Sequence, residues 1–267
     1  MASEIAFYTR TGDVYEPTQL AVSPWNGRLQ GGVALAGLTA HALGKTPSPV
    51  PMQTARMTLD ILKMVPMGAL TSSVRVIREG ARLQLLEVEL LADGRACLRA
   101  TALRVRTASS PERVLAPTRL FPGGSLHDLT QRQSKWVETI GIEGEYTSPG
   151  PGARWVRFLC TVVAGEPRSP LESAAMLADF GSGIGPLVSP REWTFANVDI
   201  SMHLTRLPRG DWLLIDATSE SAGNGVGVSN TRLGDRDGMI GSAHQTIYLD
   251  PRGATGHKNV TPAHSAT

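Results

Sequence analysis

One order of elements occurs twice along this chain, and that repeat constrains the fold more than any other feature of the sequence. A small-residue helix comes first, "GGVALAGLTAHALGK" at 31–45 and "PLESAAMLADFG" at 170–181. An alternating strand follows, "TARMTLDILK" at 54–63 and "FANVDISMHL" at 195–204, then a proline turn at Pro66 and at Pro208. Two further strands close around an Asp-Gly turn, "LLADGRACL" and "LGDRDGMIG", the pattern of a tight hairpin. The prolines lie 142 residues apart and the turn glycines Gly94 and Gly238 lie 144 apart, about half of the 267 residues. Each unit is one helix followed by a run of antiparallel strands, which makes the class α+β rather than a strict βαβ alternation. Helices rich in Gly and Ala suit a sheet that wraps closely around them. The units span 1–106 and 151–250. The Pro/Gly/Ser-rich stretch 107–150 reads as a connector, and 251–267 as a disordered tail.

The second helix carries an acid on the face that should be buried. Leu171, Ala174, Ala175, Ala178 and Asp179 share one stripe at helical spacing, otherwise apolar. Gly181 and Gly183 are expected to stop the helix just past Asp179, as a C-cap does. A carboxylate there is opposed both by burial and by the negative end of the helix dipole. The first-half helix has no such acid, so Asp179 marks a site built once. On the strand at 195–204, strict alternation puts Ala196, Val198, Ile200, Met202 and Leu204 on the apolar face. Phe195, Asn197, Asp199, Ser201 and His203 then share the polar one. In "GSAHQTIYL", Gln245 has the parity of Ala243, Ile247 and Leu249, and a Gln on an apolar face needs a partner.

Other chemistries lack their residues. Net charge is +2 with no basic run, so a nucleic-acid partner is not expected. The N-terminal residues contain no apolar core of signal-peptide length. The longest apolar stretch, Val33 to Leu43, is too short to span a bilayer, so the chain is expected to be cytoplasmic with no membrane span. Cys97 and Cys160 lie in strand-like apolar runs and read as core residues. The six histidines have no metal-ligand spacing, and neither a metal nor a cofactor is expected. The glycines of "SAGNGVGVSN" precede a β-like run and read as a bend between strands, not a nucleotide loop. No G-x-S-x-G is present. Trp25, Trp193 and Trp212 read as core anchors.

Four stretches resemble the double-hotdog acyl-CoA thioesterase II family, over about residues 20–250. "QGGVALAGLTAHAL" looks like the family's Gly-Gly entry into the first hotdog helix. "LADFGSG" resembles the end of its second helix, and "FANVDISMHLTRLPRGDWLLIDATSES" the strand with a hydroxyl-x-Asp motif and the turn after it. "LGDRDGMIGSAHQTIYL" is similar to its last hairpin. The resemblance implies two tandem hotdog repeats, each a helix wrapped by an antiparallel sheet, hydrolysing fatty acyl-CoA to free acid and CoA. In that family an Asp, a Thr and a Gln hold the hydrolytic water. By motif position these fall on Asp179, Asn197 and Gln245, with Asn197 departing from the family's Thr; Asp199 also fits the motif. Asp179 would be the general base, and amides near Gly31 and Gly32 would bind the thioester oxygen, with Asp199 on the substrate side. Two other readings remain open. One is a hotdog that binds acyl-CoA without turnover; the other is an enoyl-thioester hydratase or dehydratase, though no His follows Asp179 closely. Homo-oligomerisation is an expectation from pairing of exposed hotdog sheets.

Overall fold

The computed structural model describes residues 5–123, 131–146 and 148–252, the side chains of Gln131–Gln133 excepted. The first half contains β1 (Ala6–Thr11), β2 (Val14–Pro17), α1 (Gly32–Gly44), β3 (Met52–Ile61), β4 (Leu70–Glu79), β5 (Leu83–Ala92) and β6 (Arg95–Arg106). The second contains β7 (Gln131–Gln133), β8 (Val137–Glu143), β9 (Gly152–Phe158), β10 (Thr161–Val163), α2 (Pro170–Ala178) and α3 (Gly181–Ile184). It closes with β11 (Trp193–Asn197), β12 (Asp199–Leu204), β13 (Trp212–Ser221), β14 (Val226–Asp235) and β15 (Gly238–Pro251).

The strands form one sheet ordered β10-β1-β2-β4-β5-β6-β3-β12-β15-β14-β13-β9-β8-β7. Outward from its centre the order is the same on both sides: β3, β6, β5, β4 in one half, β12, β15, β14, β13 in the other. The seam is the antiparallel pair β3–β12, in register at Met57↔Met202 and Leu59↔Ile200. The repeat is thus a double hotdog, and β5–β6 turns through Asp93 and Gly94, both with positive φ, as an Asp-Gly hairpin should. The expected connector is not wholly irregular: β7 and β8 lie within 107–150 and pair with each other, and β8 pairs with β9. Turn residues dominate that stretch and hide its two short strands from a reading of the sequence. The tail expected at 251–267 lies, beyond Arg252, outside the described residues.

α1 and α2 run antiparallel inside the curve of the sheet. α1 is apolar on all sides and buried from Ala34 to Leu43, as its composition requires for a helix enclosed by sheet. Leu35, Leu38 and Leu43 are at most 3% exposed, each contributing about 1.5–3 kcal/mol by burial. Cys97 and Cys160 are buried free thiols.

The two helix pairs of ends differ. α2 starts with a capping box: Ser169 Oγ accepts the Glu172 N–H at 3.2 Å and Glu172 Oε2 accepts the Ser169 N–H at 2.7 Å. The other oxygen of Glu172 meets His41 Nδ1, on the last turn of α1, at 2.8 Å. α1 starts with Gly31 as N-cap and no side chain on its free amides. Opposite them stands the C-terminal end of α2.

Candidate active site

Asp179 is the C-cap of α2, not a residue inside it, and α2 stops at Ala178. Gly181 and Gly183 do not end the helix through a left-handed turn, as expected; Gly181 opens the short helix α3. Space is the reason for Gly181. A Cβ there would stand 2.4 Å from Thr231 Oγ1 and 2.7 Å from Gln245 Oε1. The tight turn swings the Asp179 carboxylate against the start of α1, where a Cβ on Gly32 would lie 2.3 Å from Oδ1.

Asn197 Nδ2 donates to Asp179 Oδ1 at 2.8 Å. This needs Asn197 to point inward, which strict alternation along 195–204 forbids. The strand breaks at Val198. Asn197 pairs with Ile247, whereas Ser201 pairs with His244, a slip of one residue. Phe195 and Asn197 therefore turn inward, Ala196 and Val198 turn outward, and Ile200, Met202 and Leu204 face the core as expected. Asp199 holds the slip in place: its Oδ1 accepts the Thr246 N–H at 2.5 Å, a backbone donor the bulge would otherwise leave unpaired. Its side chain is committed to the sheet and does not line the cavity.

Gln245 is 1% exposed and faces inward, as its parity required. Its amide does not reach the cavity wall. Oε1 accepts the Ser182 N–H at 2.7 Å and Nε2 donates to the backbone oxygen of Asp179 at 3.1 Å, so Gln245 pins the turn that carries the acid. Gly31 is likewise engaged, its N–H donated to Ala21 O at 2.7 Å. The free donors of α1 begin at Gly32, because the first amides of a helix have no acceptor four residues back.

These groups meet at a cavity of about 260 Å³ lined from both halves. Gly31, Gly32 and Val33 come from α1, Asp179 and Phe180 from the end of α2, Phe195 and Asn197 from β11. Burial pushes the Asp179 carboxyl up to about 6, while the hydrogen bond from Asn197 pulls the other way. An acid so placed is a carboxylate near neutral pH yet basic enough to take a proton. The cavity also contains residues that periodicity did not single out. Gln30, the residue before the Gly-Gly pair, accepts from Tyr8 Oη at 2.8 Å and donates to Pro66 O and Gly68 O, fixing the approach to α1. Trp25, expected as a core anchor, is 57% exposed at the cavity mouth, edge-on to Phe195. Trp136 lies in the expected connector, where nothing in the local pattern marks it. Among the described residues no cluster of His, Cys, Asp and Glu could hold a metal, and no helix is long and apolar enough to cross a membrane.

Residues 21–105 match the family described as acyl-CoA thioesterase N-terminal domain, and residues 115–249 that described as acyl-CoA thioesterase C-terminal domain. Among solved structures, the chain is similar to an acyl-CoA thioesterase II, TesB2, from Mycobacterium marinum: 18% identity, TM-score 0.65, 93% of this chain and 96% of that one. It is similar to the tesB protein of Mycobacterium avium subsp. paratuberculosis at 20% identity and TM-score 0.63, covering 91% and 96%. A conserved protein with a hot dog fold from Alicyclobacillus acidocaldarius superposes with TM-score 0.72 at 15% identity, covering 91% and 95%. No curated protein matches the sequence.

Proposed function

This chain belongs to the acyl-CoA thioesterase family, and from that premise we propose that it hydrolyses acyl-CoA to a free acid and CoA with Asp179 as general base. The observation that carries the reading is the meeting of a raised-pKa carboxylate with uncapped helix amides in one apolar cavity. Asp179 removes a proton from a water as its oxygen bonds to the thioester carbonyl carbon. The carbonyl oxygen becomes an oxyanion beside the α1 amides from Gly32 onward, where donors and helix dipole favour negative charge. Collapse of the intermediate breaks the carbon–sulfur bond, and the proton held by Asp179 passes to the departing thiolate. Asn197 orients the carboxylate through Oδ1 and leaves Oδ2 for the water. Gln245 acts as a positioning residue through the Asp179–Ser182 turn. The reaction needs no metal or cofactor in this scheme.

Free-thiol release from acyl-CoAs, with Asp179→Asn alongside, tests the reading. Turnover lost in the variant is the expected result. Turnover retained removes Asp179 from the role of base, and saturable binding without turnover turns the protein into an acyl-CoA binder.

A further inference from the structure

Aromatic rings gather at this cavity, among aliphatic side chains such as Leu20, Val33, Leu35 and Ile61, in a chain that has few of them. Five of the fourteen Phe, Tyr and Trp residues line this one cavity: Phe7, Trp25, Trp136, Phe180 and Phe195. They form two groups. Trp25, 57% exposed, and Met64, 75% exposed, mark the mouth, with Phe195 edge-on to Trp25 at 4.9 Å. Phe7, 1% exposed, belongs to the inner end, where its ring meets Trp136 edge-on at 5.3 Å.

The inner rings share an orientation. Trp136 and Phe180 lie 6.1 Å apart at 16°, Trp136 and Phe158 6.3 Å apart at 5°, and Phe158 and Phe180 5.9 Å apart at 21°. Two of these nearly parallel rings, Trp136 and Phe180, line the cavity, with Phe158 buried behind them and Phe7 edge-on to Trp136; together they define a direction in which a flat group gains offset stacking. A saturated chain gains only from its area and has no use for a common plane. The wall also begins one residue from the reacting centre, because Phe180 follows Asp179. A ring that meets Phe180 therefore shares the cavity with the Asp179 carboxylate.

We propose that the preferred acyl group carries a planar aromatic ring next to the thioester, an aroyl or arylalkanoyl group, and that Trp136 and Phe180 determine this preference. The inference rests on the acyl-CoA reading above and narrows its substrate. The CoA moiety leaves past Trp25 and Met64, and the ring lies against Phe7, Trp136 and Phe180.

The test separates ring recognition from hydrolysis. Binding of three non-hydrolysable thioethers of CoA is measured by calorimetry on the unaltered protein: S-(2-phenylethyl), S-octyl and S-hexadecyl. The first two carry equal numbers of carbon atoms, so the ring is what differs. The phenylethyl thioether is expected to bind about tenfold more tightly than the octyl one, the size of an added set of ring contacts. Trp136→Leu, checked for a cooperative melt, should abolish that ratio, the phenylethyl thioether losing about tenfold more affinity than the octyl one, and Phe180→Leu should reduce it. Equal or tighter binding of octyl or hexadecyl, or no binding of any thioether, overturns the proposal. A phenylethyl preference without thiol release from the matching thioester would keep ring recognition and sink the hydrolase reading. Thiol release that favours straight chains would do the reverse.

Discussion

Gly32 and Asp179 come from opposite halves of the chain and touch: a single methyl group on Gly32 would stand 2.3 Å from Asp179 Oδ1 and 2.7 Å from its Cγ. The glycine is there to bring an acid and a helix N-terminus within one water's reach. Gly32→Ala should push the carboxylate aside, lowering kcat/KM by at least about 100-fold, on the scale of a lost general base, and stability by about 1–3 kcal/mol from overpacking. Gly44→Ala is the control, since a Cβ there meets nothing within 4 Å; it should leave turnover unchanged. Equal turnover for both variants would show that the Gly32 contact has no part in the chemistry.

Asp179→Asn trades activity for stability. Its folded-state pKa of about 6 lies above the ordinary 3.8, so the folded protein binds the proton more tightly than the unfolded chain does. Stability therefore falls as pH rises from about 3.8 to about 6 and stays at the lower value above that. Removing the charge should raise stability at pH 7.5 by about 1–3 kcal/mol, with no gain at pH 3.5. Urea unfolding of both proteins at the two pH values measures this. A variant less stable than the parent at pH 7.5 would contradict the account of Asp179 as an acid held against its desolvation.

The same acid sets the pH profile of turnover. Thiol release should rise with pH to a plateau, with an apparent pKa of about 6 in kcat/KM. Because the Asn197 amide stabilises the carboxylate, Asn197→Ala should move that midpoint upward, and Asn197→Thr, which restores a donor, should bring it partly back. A midpoint insensitive to residue 197 would detach this side chain from the base.

Gln245→Ala is expected to act first on stability. It strands the Ser182 N–H and the Asp179 carbonyl, both in the interior, at about 1–3 kcal/mol each. Chemical denaturation should report a loss of about 2–6 kcal/mol, and the surviving folded fraction should show a lower kcat with KM little altered. A fully stable variant with normal kcat would remove Gln245 from the positioning role.

Much of this was readable in the residues, and the parts that were not have identifiable causes. The doubling of helix, strand and Asp-Gly hairpin is a pattern of periods and turn residues, and those act locally; the hairpin β5–β6 follows from them, whereas the pairings β3–β6, β12–β15 and β3–β12 join distant segments and were not readable. Asp179 stood out because an acid on an apolar stripe conflicts with its surroundings. Gln245 pointed inward by parity alone. Asn197 could not be oriented by parity, because a one-residue bulge at Val198 reverses the faces. Asp199, which holds the bulge, looked like a site residue for want of that information. The aromatic wall was hidden for another reason: Phe7, Trp136 and Phe180 lie far apart in sequence and meet only through the fold.

The antiparallel arrangement of α1 and α2 creates two equivalent junctions between a helix start and a helix end. His41 stands nine residues after the first residue of α1, just as Asp179 stands nine after the first of α2. At one junction the helix start is bare glycine and the facing residue is an acid with an open oxygen. At the other, Ser169 and Glu172 occupy the helix start themselves and His41 is tied to Glu172. The second junction is a strut filled with its own side chains. Stoichiometry follows from this: on the proposed chemistry each polypeptide takes one thioester, half the number that a symmetric pair of identical repeats around the same axis would hold.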